Sequence, residues 1–169
     1  RRDAGDGRSP AQGDGGGGVY YYDSADITTA DNGGTVIVAS DGGRWKLSQS
    51  DRVSLRQFGA KGDGTTDDSA ATAAAALWSM TTGKTIWVST GRYKQTATII
   101  CANGGAYAAD WECESRSGTI FETYLTGTTP LFKYSGAPVS SYQNLGFRNG
   151  SIIAKNAGGF VTRNSGAGI

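Results

Sequence analysis

Three carboxylates, Asp63, Asp67 and Asp68, fall close together in the stretch GAKGDGTTDD at residues 59–68. Aspartates at such spacing suit three chemistries. A calcium loop needs six to eight oxygens, and an EF-hand closes with a glutamate at its twelfth position, which is missing here. A glycosidase needs two carboxyl groups about 5 to 9 Å apart across a groove. A general acid, however, needs a raised pKa, whereas a helix N-terminus lowers it. The third chemistry is structural: aspartates that close turns and favour a helix start. That reading is the most economical, so no metal site and no catalytic residue is assigned.

Other chemistries are excluded by composition. Histidine is absent, which removes His-dependent triads and His-liganded zinc. Cys101 and Cys113 are too few for a disulfide framework or a four-cysteine metal site, and read as small buried hydrophobes or one local thiol pair. The glycines at 15–18 lack the following helix and Lys-Ser/Thr pair of a phosphate loop. Tyr20, Tyr22 and Trp45 place rings on one side of a short sheet, for packing or for stacking on the apolar faces of sugars. No cofactor is implied.

Sixteen basic and 15 acidic residues nearly cancel, with no basic run beyond Arg1-Arg2, so a nucleic-acid footprint is not expected. No apolar stretch approaches the roughly 20 residues of a membrane span, and membrane insertion is not expected. Glycine is 27 of 169 residues and proline only 3, a balance that suits closely spaced turns between short strands. The start at Arg1 and the ending NSGAGI suggest a piece of a longer polypeptide.

The elements that hold these residues follow in order. Residues 1–18 bury little and are expected to form a flexible Gly-rich segment. Val19–Asp23, Thr35–Ala39 and Arg44–Leu47 read as three strands, with Asp41-Gly42-Gly43 as a hairpin turn. Val53, Leu55 and Phe58 then cover an apolar surface. Thr66 is the expected N-cap of a helix, with Asp67 and Asp68 in its first turn and Gly59, Gly62 and Gly64 turning the chain before it. Ala70, Ala73 or Ala74, Leu77 and Met80 form its expected buried face, and Gly83 stops it.

From Lys84 onward short strands recur at 85–88, 93–100, 119–121, 131–134, 145–147, 151–153 and 160–161, which stacks naturally into a solenoid. The segment Ala102–Arg116 interrupts the rhythm and reads as an excursion.

GAKGDGTTDDSAATAAAAL at 59–77, followed by TIWVSTGRY at 85–93, resembles the opening signature of the pectate-lyase-like superfamily of right-handed β-helices. Gly59, Gly62, Asp63, Gly64, Asp67 and Asp68 carry the match, and Ser89-Thr90-Gly91 replaces the family's usual VPxG turn. Residues 13–59 are similar to the N-terminal region of bacteriophage tailspike and tail-fibre proteins, and YQNLGFRNGSII at 142–153 looks like one β-helix coil.

The resemblance implies a homotrimer in the virion tail. Its N-terminal region would contact other tail or adaptor proteins, and a missing body would bind, and often cleave, bacterial capsular or O-antigen polysaccharide.

The expected architecture is mainly β. Residues 1–18 are flexible, 19–52 form a small β attachment or neck region, and 53–83 form a junction with one capping α-helix. Residues 84–169 begin a right-handed single-stranded parallel β-helix. The expected function is attachment and trimerisation within a tailspike whose full length is a polysaccharide depolymerase. Two alternatives stand beside it: the N-terminal part of a secreted pectate-lyase-like or galacturonase-like enzyme, and a non-catalytic adhesin or baseplate protein.

Overall fold

The computed structural model of the protein describes residues 15–48, 51–103, 107–135, 146–156 and 162–163. The expected strand at 160–161, the start of the coil at 142–153 and most of the segment 1–18 lie outside these residues.

Three antiparallel strands open the chain: β1 (Tyr20–Asp23), β2 (Val36–Val38) and β3 (Arg44–Leu47), in the order β1-β3-β2. Two features hold this small sheet. The β2–β3 turn closes with Gly42 N donating to Ala39 O at 2.9 Å and Gly43 N to Asp41 Oδ1 at 3.0 Å. The long β1–β2 connection is pinned by Lys46 Nζ, which lies 2.8 Å from both Asp23 Oδ2 and Asp26 Oδ2.

The remaining strands are parallel to their neighbours and repeat around a common axis. The first sheet contains β4 (Arg52–Ser54), β6 (Thr85–Val88), β9 (Asp110–Cys113) and β12 (Gly146–Arg148). The second contains β5 (Asp63–Asp67), β7 (Gly91–Gln95), β10 (Thr119–Thr123) and β13 (Ser151–Ala154). The third contains β8 (Ile99–Asn103), β11 (Phe132–Ser135) and β14 (Thr162–Arg163). The first coil has no strand in this third sheet. Helix α1 (Ser69–Thr82) takes that place and packs on β8. The architecture is therefore mainly β, with one α-helix and the first coils of a parallel β-helix.

Aligned registers put like side chains above one another inside the solenoid. Val53, Ile86, Trp111 and Phe147 form one column, and Tyr93, Phe121 and Ile152 another. Phe132 bridges them, with its ring centroid 5.4 Å from those of Trp111 and Phe121. Burying each such ring contributes about 1.5–3 kcal/mol, and each ring pair adds roughly 0.5–1.5 kcal/mol.

Two sequence expectations are corrected here. Ala102–Arg116 is no excursion: it contains β9, paired with both β6 and β12, and its Trp111 is fully buried. Residues 93–100 are not one strand, because the chain turns a corner between β7 and β8.

Candidate functional site

The acidic stretch forms the junction between the N-terminal sheet and the solenoid, and it is held by nearby backbone N–H groups together with the hydroxyls of Thr66, Ser69 and Thr96. A 3-10 turn (Leu55–Phe58) follows β4, with Ser54 and Gln57 forming a reciprocal capping box. Leu55 and Phe58 are buried, as is Val53.

Asp63 Oδ1 accepts from Thr65 N at 2.8 Å and Thr66 N at 2.7 Å, and Oδ2 accepts from Thr66 Oγ1 at 2.8 Å. The Thr66 and Thr65 N–H groups hold its carboxyl well below the usual range. Asp67 accepts from Ser69 N at 3.0 Å, Ser69 Oγ at 2.6 Å and the Thr96 hydroxyl. Burial pushes its pKa up, but these hydrogen bonds outweigh burial and keep it low. Asp68 is buried and reaches back to accept from Lys61 N at 2.7 Å and Gly62 N at 3.0 Å. Burial dominates there and raises its pKa.

The helix therefore starts later than the sequence suggests. Thr66 lies in β5 and is not the N-cap; Asp68 occupies that position but makes no side-chain bond to the helix. Its oxygens are already committed to the loop before it. The helix does end at Gly83, with φ 70°.

The buried face of α1 also differs. Ser69, Thr72, Ala75, Ala76, Trp78 and Ser79 are buried, whereas Leu77 is 56% exposed and Ala70 and Ala73 face outward. The reason is that the solenoid beneath it offers polar partners. Thr72 Oγ1 accepts from Gln95 Nε2 at 3.0 Å, while Ser79 Oγ donates to Lys84 O at 2.6 Å and accepts from Asp110 N at 3.1 Å.

Gly62 and Gly91 sit where two coils touch. Gly62 has φ 63°, and a Cβ there would stand 2.9 Å from the Tyr93 ring; one at Gly91 would stand 2.8 Å from Gly62 O. Gly59 and Gly64 also take positive φ, 93° and 77°. Above this contact lies Arg56, which sequence reading missed. Its Nε donates to Ser89 Oγ at 2.8 Å, Nη1 to Lys61 O at 2.7 Å and Nη2 to Thr90 O at 3.2 Å. Only the five-donor fork of arginine satisfies such separated acceptors.

The outer faces of the coils carry charge that is internally spent. Asp110, 3% exposed, accepts from Thr85 Oγ1 at 2.7 Å and from both Arg148 nitrogens. Glu122, 2% exposed, pairs with Arg92 and lies 3.3 Å from Lys155 Nζ. Arg52 covers the Trp87 ring at 4.4 Å. These carboxylates are locked by cations rather than aimed into a groove.

Cys101 and Cys113 are both buried and unpaired, and burial pushes each thiol up to about 12. Among the described residues no group of three or more His, Cys, Asp or Glu could hold a metal ion, and no helix is long and apolar enough to cross a membrane.

In the N-terminal sheet, Tyr20 and Tyr22 face the same side as Trp45 and Leu47. Tyr20 is half-buried and donates through its hydroxyl to Gly34 O at 2.7 Å. Tyr22 is 55% exposed and tilts against Trp45 with centroids 5.7 Å apart.

The chain thus sets a small antiparallel sheet directly on the first coil of a parallel β-helix. Residues 5–51 match the family described as "Phage tail protein small four-stranded beta-sheet domain", and residues 52–109 match "Rhamnogalacturonase A/epimerase, pectate lyase-like". The chain thus joins a phage tail domain to the start of a pectate-lyase-like solenoid and is a component of the virion tail. Its resemblance to a tailspike N-terminal region holds.

Among solved structures it is similar to the tailspike protein of Acinetobacter baumannii phage AM24, at 23% identity and TM-score 0.49, covering 71% of this chain and 19% of that one. Pantoea stewartii WceF, described as a glycan biofilm modifying enzyme with a tailspike-like parallel β-helix fold, matches at 21% identity and TM-score 0.45, covering 73% and 23%. Tailspike protein 2 of Escherichia coli O157:H7 bacteriophage CAB120 matches at 20% identity and TM-score 0.42, covering 83% and 19%. The chain therefore spans about a fifth of the length of these proteins. No curated protein matches it.

Proposed function

We propose that this chain is the attachment and trimerisation part of a tailspike whose remaining length binds and depolymerises bacterial surface polysaccharide. The observation that carries the proposal is the joint itself. Leu47 of the tail-type sheet lies in one hydrophobic cluster with Leu55 and Phe58 of the solenoid start. A Cβ on Gly34 would stand 2.5 Å from the Phe58 ring, so the two modules fit closely.

The described coils contribute stability rather than chemistry, since Asp110 and Glu122 are committed to arginine and lysine partners. The boundaries 1–18, 19–52, 53–83 and 84–169 belong to this proposal, as do a homotrimer, adaptor contacts through the N-terminal region and glycan recognition by later coils.

The test is a phage whose tailspike gene lacks the codons for residues 1–51 of this chain. Particles without the spike, together with a soluble truncated protein that still degrades host polysaccharide, are expected. Particles that still carry the truncated spike would overturn the attachment role. A soluble protein that folds but degrades no capsular or O-antigen polysaccharide of the host would overturn the depolymerase reading.

A further inference from the structure

The first coil stands at the end of the solenoid, where β4 and β5 are the last strands of their sheets among the described residues. A strand in that place presents N–H and C=O groups on which another extended chain can pair. Toward the second coil, β5 and its flanks bond backbone to backbone: Arg92 N donates to Gly62 O and Asp68 N to Lys94 O, both at 2.9 Å.

Other backbone groups of the same coil go to side chains. Asp63 Oδ1 holds the N–H groups of Thr65 and Thr66, the Asp68 carboxylate those of Lys61 and Gly62, and Asp67 Oδ1 that of Ser69. Gln57 Oε1 accepts from Ser54 N at 2.9 Å at the end of β4. Carbonyls are taken as well. Arg56 Nη1 donates to Lys61 O at 2.7 Å, and Lys94 Nζ to Thr65 O at 3.3 Å. The register of β5 against β7 also shifts between Asp63 and Asp67, an irregularity that spoils a flat ladder.

An incoming strand gains little against such bonds. A backbone N–H held by a carboxylate makes a charge-assisted hydrogen bond, roughly twice as strong as one to a neutral carbonyl. A chain adding to β5 from outside would exchange the stronger bond for the weaker and leave Asp63 without its donors.

We infer that the acidic stretch is a stop for strand addition: Asp63, Asp67 and Asp68, with Arg56 and Lys94, occupy the backbone groups through which the first coil would otherwise pair with an extended segment of a second copy of this chain. Coils are then added on one side only. The inference does not rest on the trimer or on the depolymerase proposed above.

The test compares the full-length protein with Asp63→Ala, which frees two N–H groups, and Asp63→Asn, which keeps an acceptor oxygen. Sedimentation velocity is run over a wide range of concentration, well below each melting temperature. The expected result is that Asp63→Ala grows beyond the wild-type mass as concentration rises, that Asp63→Asn does so less, and that hydrogen exchange across residues 61–69 slows in the assembled fraction. A folded Asp63→Ala that keeps the wild-type mass overturns the inference. So does Asp63→Asn assembling as strongly as Asp63→Ala, or an assembly whose exchange across 61–69 is unchanged, because it joins through another surface. If Asp63→Ala does not fold, Lys94→Ala, which frees Thr65 O, is judged by the same mass and exchange readings.

Discussion

Arg148 grips Asp110 with its two terminal guanidinium nitrogens, Nη1 and Nη2, at 2.7 and 2.8 Å, across neighbouring coils of the solenoid. Gly146 makes the grip feasible, because a Cβ there would stand 2.6 Å from both Arg148 Nη1 and Asp110 Oδ1. Arg148→Ala leaves a buried carboxylate with Thr85 as its remaining side-chain partner among the described residues. Breaking a buried pair costs about 3–5 kcal/mol. Arg148 is itself 53% exposed in its side chain, so solvent screening reduces the expected loss to roughly 1–3 kcal/mol. Arg148→Lys should recover only part of it, because lysine lacks the fork. Urea unfolding monitored by tryptophan fluorescence measures both.

The glycines of the acidic stretch separate by space. Gly62→Ala meets both a left-handed backbone and the Tyr93 ring, and should cost about 2–4 kcal/mol. Gly59→Ala meets the left-handed backbone alone, with nothing within 4 Å, and should cost roughly 1–2 kcal/mol. Equal denaturation midpoints for the two variants would contradict the close approach of the coils.

The N-terminal sheet should be acid-sensitive. The hydrogen bond from Lys46 lowers the pKa of both Asp23 and Asp26 below the ordinary 3.8. A lowered carboxylate gives stability above its unfolded pKa and loses it as pH falls through the folded value. The wild-type sheet should therefore loosen as pH drops below about 4, and Lys46→Met should flatten that slope. Trp45 fluorescence across an acid titration reads the difference.

Asp68 has the opposite sign. Burial raises its pKa, so its contribution is fully present below 3.8 and is lost as pH rises through the higher folded value. Asp68→Asn should make melting less dependent on pH in that window. Asp68→Ala strands the Lys61 and Gly62 N–H groups and should cost about 1–3 kcal/mol. Depolymerisation by the folded fraction of the full-length protein should survive both changes; its loss at unchanged melting would assign Asp68 to catalysis.

Much of this was legible in the sequence wherever the cause is local. Gly83 ends its helix, Val53, Leu55 and Phe58 are core, and the strands expected at 85–88, 119–121, 131–134 and 151–153 fall close to their places, whereas β9 and the corner between β7 and β8 did not show. The failures at the helix share one physical source. Asp68 answers to Lys61 and Gly62 in the loop before it, Thr72 to Gln95 and Ser79 to Asp110, so the helix start and its buried face were set by partners outside the helix. Arg56, Arg92 and Arg148 were missed for the same reason: each finds acceptors on another coil. Only the column of stacked registers tells which coil that is.

The seating of Leu47 and Tyr20 against the solenoid start has a mechanical consequence. A side chain shared between two modules resists bending, since any tilt opens a gap in the cluster and exposes apolar surface. In the spike proposed above, torque applied at the particle end would then be carried into the coil axis, steering the spike from its base as a lever rather than letting it trail as a tether.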